Sequence, residues 1–152
     1  MKRVALLMGS ETDRQTMEAA LPYFEHFGVA CDVMVMSAHR QPSEVATFAT
    51  GARAAGYGVL IAGAGMAAHL AGALKAHSSL PVIGVPLPGG LQDGLDALLS
   101  TVQMPKGVPV ATVSVGKAGA INAAVLAVEI LSLGEPELVG KLDAYKSRGA
   151  KL

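Results

Sequence analysis

His39 and Arg40 stand side by side at the end of a short apolar run, in the segment Ser37-Ala38-His39-Arg40-Gln41-Pro42. An imidazole titrates near neutral pH and both gives and takes a proton, while a guanidinium holds phosphate through a planar fork. Together they suit acid–base chemistry on a phosphorylated substrate. A second group is Gly9-Ser10-Glu11-Thr12-Asp13. Here a glycine permits a tight exit, and the N–H groups of the following helix offer donors to a phosphate. The Asp13 carboxylate accepts from ribose hydroxyls. Ser10 with Asp13 also has the spacing of a capping box, so the same pair can serve the helix alone. A third group, Gly63-Ala64-Gly65-Met66-Ala67-Ala68-His69, sets a histidine beyond glycines that let a ligand approach the backbone. Each group has a plain structural reading too: an idle surface pair for His39 and Arg40, and a core histidine for His69.

All three groups follow short, continuously apolar runs flanked by Gly, Pro or Ser, which read as strands covered on both faces. Such runs lie at Val4–Met8, Cys31–Met36, Val59–Ala62, Pro81–Val85 and Val110–Val115. Helical periodicity fills the intervals, roughly Thr12–Phe27, Pro42–Ala55, Ala67–His77, Leu91–Leu99 and Ala118–Leu131, with a polar last helix at Pro136–Arg148. The alternation predicts an α/β fold, a parallel sheet with helices on both faces joined by right-handed crossovers. Ligands in such folds bind at the carboxyl ends of the strands, where the three groups stand. Pro42 suits the first position of its helix and makes the His39 loop short and stiff. Helix Ala118–Leu131 is apolar nearly all round, with Asn122 and Glu129 its strongly polar members, which predicts contact with a neighbouring subunit or, as the plain alternative, a central helix buried within the monomer.

With 152 residues and no charge-dense or Ser/Pro-rich linker, the chain is expected to form one catalytic domain over 1–152. Apolar residues make up 51% and charged ones only 16%, a balance that points to a homo-oligomer, with the C-terminal helix packing on a neighbouring subunit. The formal net charge of +0 excludes the basic stripe of a nucleic-acid binder. The charged start at Lys2-Arg3 precedes an apolar run too short for a secretory signal, and the uncharged stretch from Ala54 to Leu74 is broken by glycines, so no membrane span is expected. Cys31 reads as a buried, inert thiol, and a cytoplasmic setting is expected. Gly63–Ala68 has the spacing of a dinucleotide fingerprint but follows the third strand and lacks the downstream acid; Gly116-Lys117-Ala118 lacks the rest of a phosphate loop. The third strand ends without the aspartate of a receiver domain. His69 and His77 lie roughly 12 Å apart along a helix at about 1.5 Å per residue, too far to share a metal ion.

The segments Met8-Gly9-Ser10 through Asp13, Ser37–Arg40 with Pro42, Ile61–Gly65 through Ala68-His69-Leu70, Gly84-Val85-Pro86 and Val102–Thr112 together resemble the N5-carboxyaminoimidazole ribonucleotide mutase family of purine biosynthesis. The resemblance spans nearly the whole chain. It implies a flavodoxin-like, three-layer αβα sandwich assembled as a homo-octamer, with no metal or organic cofactor. It also implies a small ribonucleotide substrate on which a carboxylate moves from nitrogen to carbon. It assigns proton transfer to His39, and substrate phosphate and ribose to Ser10, Asp13 and Arg40, with the Thr12 hydroxyl near the phosphate. Ser37 and His69 would line the site, and the Gly63-Ala64-Gly65 backbone would lie against the base and the migrating carboxylate. A related branch that carboxylates with free CO2 generally lacks a histidine matching His69. Two other classes compete: a non-catalytic nucleotide-binding module, which would tolerate loss of His39, and a nicotinamide or flavin oxidoreductase, which would carry a chromophore.

Overall fold

The strands of the computed structural model, which describes residues 1–152, are β1 (Arg3–Met8), β2 (Cys31–Val35), β3 (Tyr57–Ala64), β4 (Val82–Pro86) and β5 (Ala111–Thr112). They form one sheet in the order β2-β1-β3-β4-β5, and every pairing is parallel. This is the flavodoxin-like order, in which the chain builds outward from β1 in one direction and then crosses to the other side. Alternate residues of the central strands feed two cores. Val4, Leu6, Met8, Val59, Ile61 and Ile83 belong to one cluster, which includes residues of α1 (Arg14–Met17), α2 (Leu21–Phe27), α6 (Lys117–Ser132) and α7 (Glu137–Ser147). Ala5, Leu7, Leu60, Ala62 and Val82 belong to the other, with residues of α3 (Pro42–Gly51) and α4 (Leu70–His77). The remaining helix, α5 (Leu95–Val102), packs against β4 and β5. Three layers result.

The expected helix Thr12–Phe27 is not continuous. It is a 3-10 turn at Glu11–Asp13, then α1, a second 3-10 turn at Glu18–Ala20, and α2. Pro22 explains the second break, because it has no N–H to return to the Glu18 carbonyl, which instead accepts from Leu21 one residue earlier. Helix α4 starts at Leu70 rather than Ala67, leaving His69 at the N-cap instead of within the first turn. Helix α5 starts at Leu95 rather than Leu91, since Gln92, Asp93 and Gly94 have φ of 48°, 53° and 115° and cannot propagate a right-handed helix. The last strand is only Ala111–Thr112; the chain leaves the edge early to enter α6, with Gly119 lying against the Ser114 carbonyl.

The apolar circumference of α6 is largely explained within one chain. Ala120, Ala123, Ala124, Ala127, Val128 and Leu131 are buried, and Val125, Leu126 and Ile130 pack against the same cluster, because α6 lies between the sheet and helices α2 and α7. Helix α7 likewise buries Leu138, Leu142 and Tyr145 in its own chain, with the Tyr145 ring edge-on to Phe27 at 5.4 Å. No helix is long and apolar enough to cross a membrane. The Cys31 thiol is pushed up to about 12, by burial first and the neighbouring Asp32 charge second, which leaves it unreactive.

Gly63 needs its missing side chain for this core. A Cβ there would lie 2.3 Å from Met17 Sδ and 2.7 Å from Met17 Cε. Gly63→Ala is therefore expected to cost about 2 kcal/mol through overpacking, read as a lower denaturant midpoint with an unchanged slope.

Candidate active site

At the carboxyl ends of β1 to β4 the exit loops diverge around a cavity of about 400 Å3, the size of a small-molecule site. The loop after β1 turns toward the α1 face and the loop after β3 toward the α4 face, so the crevice sits at the topological switch point. The first loop contributes Gly9, Ser10, Thr12 and Asp13, and the second contributes Ser37, Ala38 and His39. The third contributes Ala64, Gly65, Met66, Ala67 and His69. The fourth adds Pro88, Gly89 and Gly90.

In the first loop Ser10 caps the short turn: its Oγ accepts from the Thr12 amide at 3.3 Å and lies 2.9 Å from Thr12 Oγ1. The structural and ligand readings of Ser10 thus coexist, since a hydroxyl retains further hydrogen-bonding capacity. Glu11 faces Arg14, which bridges it to Glu18 with Arg14 Nη1 at 2.8 Å from Glu18 Oε1. With Glu11 neutralised this way, Asp13 is the carboxylate that lines the cavity. Burial raises its pKa above the usual aspartate range, against an opposing hydrogen bond with the Ser10 backbone.

The second loop is braced by its own side chains. Ser37 Oγ accepts from the Arg40 amide at 3.3 Å, Gln41 Oε1 accepts from the Ser37 amide at 3.2 Å, and the Gln41 amide donates to the Ser37 carbonyl at 2.8 Å. This fixes His39 in an exposed position at the cavity mouth. Arg40 is also exposed but stands outside the lining, and no carboxylate pairs with it.

His69 reaches the same mouth from the third loop. Its ring is nearly parallel to that of His39, with centroids 6.5 Å apart and planes inclined by 19°. Two imidazoles from separate strands thus meet at one corner, which spacing along the sequence does not reveal. Of the glycine segment, Ala64 and Gly65 line the cavity, whereas Gly63 is buried against Met17 and supports it from behind. Met66 points its exposed side chain at the mouth from a left-handed backbone with φ of 55°. The fourth loop is held by carboxylates, Asp93 Oδ1 accepting from Gly89 at 2.9 Å and Asp96 Oδ2 from Leu91 at 3.1 Å.

Fold and site define a class: a flavodoxin-like α/β protein with a cavity of small-molecule size at its switch point and two histidines at the mouth. The chain belongs to the AIR carboxylase family, whose sequence model matches residues 3–151. It is 48% identical over 143 residues to the N5-carboxyaminoimidazole ribonucleotide mutase of Brucella melitensis, covering 94% of this chain and 88% of that protein. It is 50% identical over 146 residues to the mutase of Mycobacterium tuberculosis, covering 96% and 83%. Among solved structures, Treponema denticola PurE superimposes with a TM-score of 0.87 at 28% identity, covering 97% of this chain and 90% of that one.

Because the folded Asp13 pKa lies above the unfolded one, its ionised form costs stability. That cost is full above the folded pKa and vanishes as the pH falls below the ordinary aspartate value of about 3.9. Asp13→Asn is expected to raise the melting temperature at pH 7, by a margin that shrinks in acid, while weakening nucleotide binding. Calorimetry and a binding titration on one preparation check both, and unchanged affinity would remove Asp13 from the site.

Proposed function

We propose that the protein is a mutase of this family, an isomerase of purine biosynthesis that converts N5-carboxyaminoimidazole ribonucleotide into 4-carboxy-5-aminoimidazole ribonucleotide. The observation that carries the proposal for the site is the facing pair His39 and His69 at the mouth of a cavity whose other side offers hydroxyls and one carboxylate. The Ser10 and Thr12 hydroxyls hold the phosphate, and the exposed Arg40 guanidinium pairs with it. Asp13 accepts from the ribose. Ser37, Ala64 and Gly65 lie along the base, with Gly63 behind them, and His69 faces the migrating carboxylate.

In the first step protonated His39 gives its proton to the exocyclic nitrogen as the nitrogen–carboxylate bond breaks, leaving the amine and CO2. C4 of the imidazole then attacks the trapped CO2 and forms the new carbon–carbon bond. The now neutral His39 removes the C4 proton, which restores aromaticity and its own starting charge. The protons balance within one group, and no redox partner enters. Holding CO2 next to C4 in a closed cavity turns a bimolecular recapture into an effectively unimolecular step. Pro88, Gly89 and Gly90 stand where they can cover it.

The proposal includes a homo-octamer working in the cytoplasm. In favour of assembly, Leu95, Leu99 and Val102 form a stripe at helical spacing along α5, exposed by 41%, 54% and 47%, and Leu91, before the left-handed turn, is exposed by 73%. The exposed Val139 of α7 is a smaller candidate contact. A single cysteine, which no intrachain disulfide can use, accords with a reducing compartment.

His39→Asn is expected to lower turnover by roughly 10²-fold or more with nucleotide affinity little changed. Supplying the carbamate ribonucleotide and, in a separate reaction, aminoimidazole ribonucleotide with bicarbonate tells the mutase from a direct carboxylase; substantial turnover by the variant would sink the assignment. Leu95→Lys with Leu99→Lys is expected to reduce the mass measured by light scattering to that of smaller assemblies. An unaltered octamer would move the interface elsewhere.

A further inference from the structure

His69 is placed as the N-cap of α4, yet its side chain makes no capping hydrogen bond, and the residue is exposed. Its ring is nevertheless set nearly parallel to His39. The contacts that define its seat lie at Gly72, one helical turn along. A Cβ on Gly72 would sit 3.1 Å from His69 Cε1 and 3.2 Å from His69 Nδ1, tighter than side chains ordinarily pack. The same point lies 3.4 Å from Met104 Sδ, so imidazole and thioether both border the space over the bare Cα of Gly72.

Neither residue has another evident reason to be what it is. Glycine in a helix interior is disfavoured relative to alanine, and Gly72 is buried with an ordinary helical backbone, so conformational freedom does not account for it. Met104 belongs to the segment that follows α5, whose residues take no part in lining the cavity. A thioether is polarisable and adaptable, well suited to lie against an aromatic ring without fixing its protonation.

We infer that Gly72 and Met104 are positioning residues: Gly72 provides the recess into which the His69 ring folds, and Met104 closes that recess from behind. The inference rests on the reading of His69 as part of the substrate site. Filling the recess by one methyl group pushes the ring outward by a few tenths of an ångström, and emptying the far side lets it turn. Either change spoils the alignment with His39, and misplacements of this order are costly when a reacting group must be held in place.

The test uses the full chain in its native assembly. Gly72→Ala is expected to leave the melting temperature unchanged or raise it, since alanine favours the helix, while kcat falls several-fold with a smaller change in KM. The His69 Cε1–H resonance moves in the same variant. Met104→Ala gives a similar loss of kcat, and Met104→Leu, which restores the bulk, recovers most of it. An unchanged kcat and an unmoved resonance in Gly72→Ala would overturn the seat. So would a lowered melting temperature, which would mean that the helix rather than the ring yields. His69→Asn separates the two layers of the argument: if it turns over normally, the reading of His69 in the site fails. If it is impaired while Gly72→Ala is normal, the seat alone fails.

Discussion

The parallel pairing of β1 with β3 runs from Val4 opposite Val59 to Met8 opposite Gly63, and one step further Gly9 still donates to the Gly63 carbonyl at 3.1 Å. Both strands are apolar and buried along this stretch, so their register is fixed by two cores at once, and a slip of one residue would exchange the faces of every side chain. Because the chain turns toward opposite faces after these strands, the pairing forces a gap between Gly9 and Ala64. That gap is the cavity. The approach is close because Gly63 leaves room for Met17 beneath it, so a core contact determines how the floor of the site lies.

On this floor the charges are sorted rather than numerous. Glu11 is taken up by Arg14, and Arg14 also holds Glu18, leaving Asp13 facing the cavity. The second loop is braced through the Ser37 hydroxyl and the Gln41 amide, which steadies the backbone from which His39 projects. The His39 and His69 imidazoles stand together at the mouth. The lining also includes small and apolar residues, among them Ala38, Ala64, Met66, Ala67 and Leu70.

Much of this was legible in the residues. The five apolar runs correspond to the five strands, and Ser10, Thr12, Asp13, Ser37, His39, Ala64, Gly65 and His69 all line one cavity. Arg40 does not, because its chain leaves the loop on the exposed side as α3 begins. Gly63 was read as a backbone for the ligand, but its glycine character answers to Met17, a partner forty-six positions earlier that no local pattern connects to it. The helix that Pro22 interrupts was traced as continuous because apolar periodicity survives a change from α to 3-10 geometry over one turn. The late start of α5 was hidden likewise, since Gln92 and Asp93 do not announce a left-handed backbone as glycine does.

The α/β alternation, the parallel sheet, and which loops carry hydroxyl, carboxylate and imidazole could all be read from the residues, because burial on two faces and strand-to-loop order are written in local composition. Closure of the fold alone sets the His39 and His69 rings 6.5 Å apart, buries most of α6 together with Leu138, Leu142 and Tyr145 of α7 within the chain, and brings His69 and Met104 to the same space over Gly72. The physical reason is range. Periodicity, turn chemistry and capping act over a few residues, whereas these contacts join segments far apart in the chain, whose distances are set only when two cores and one sheet close together.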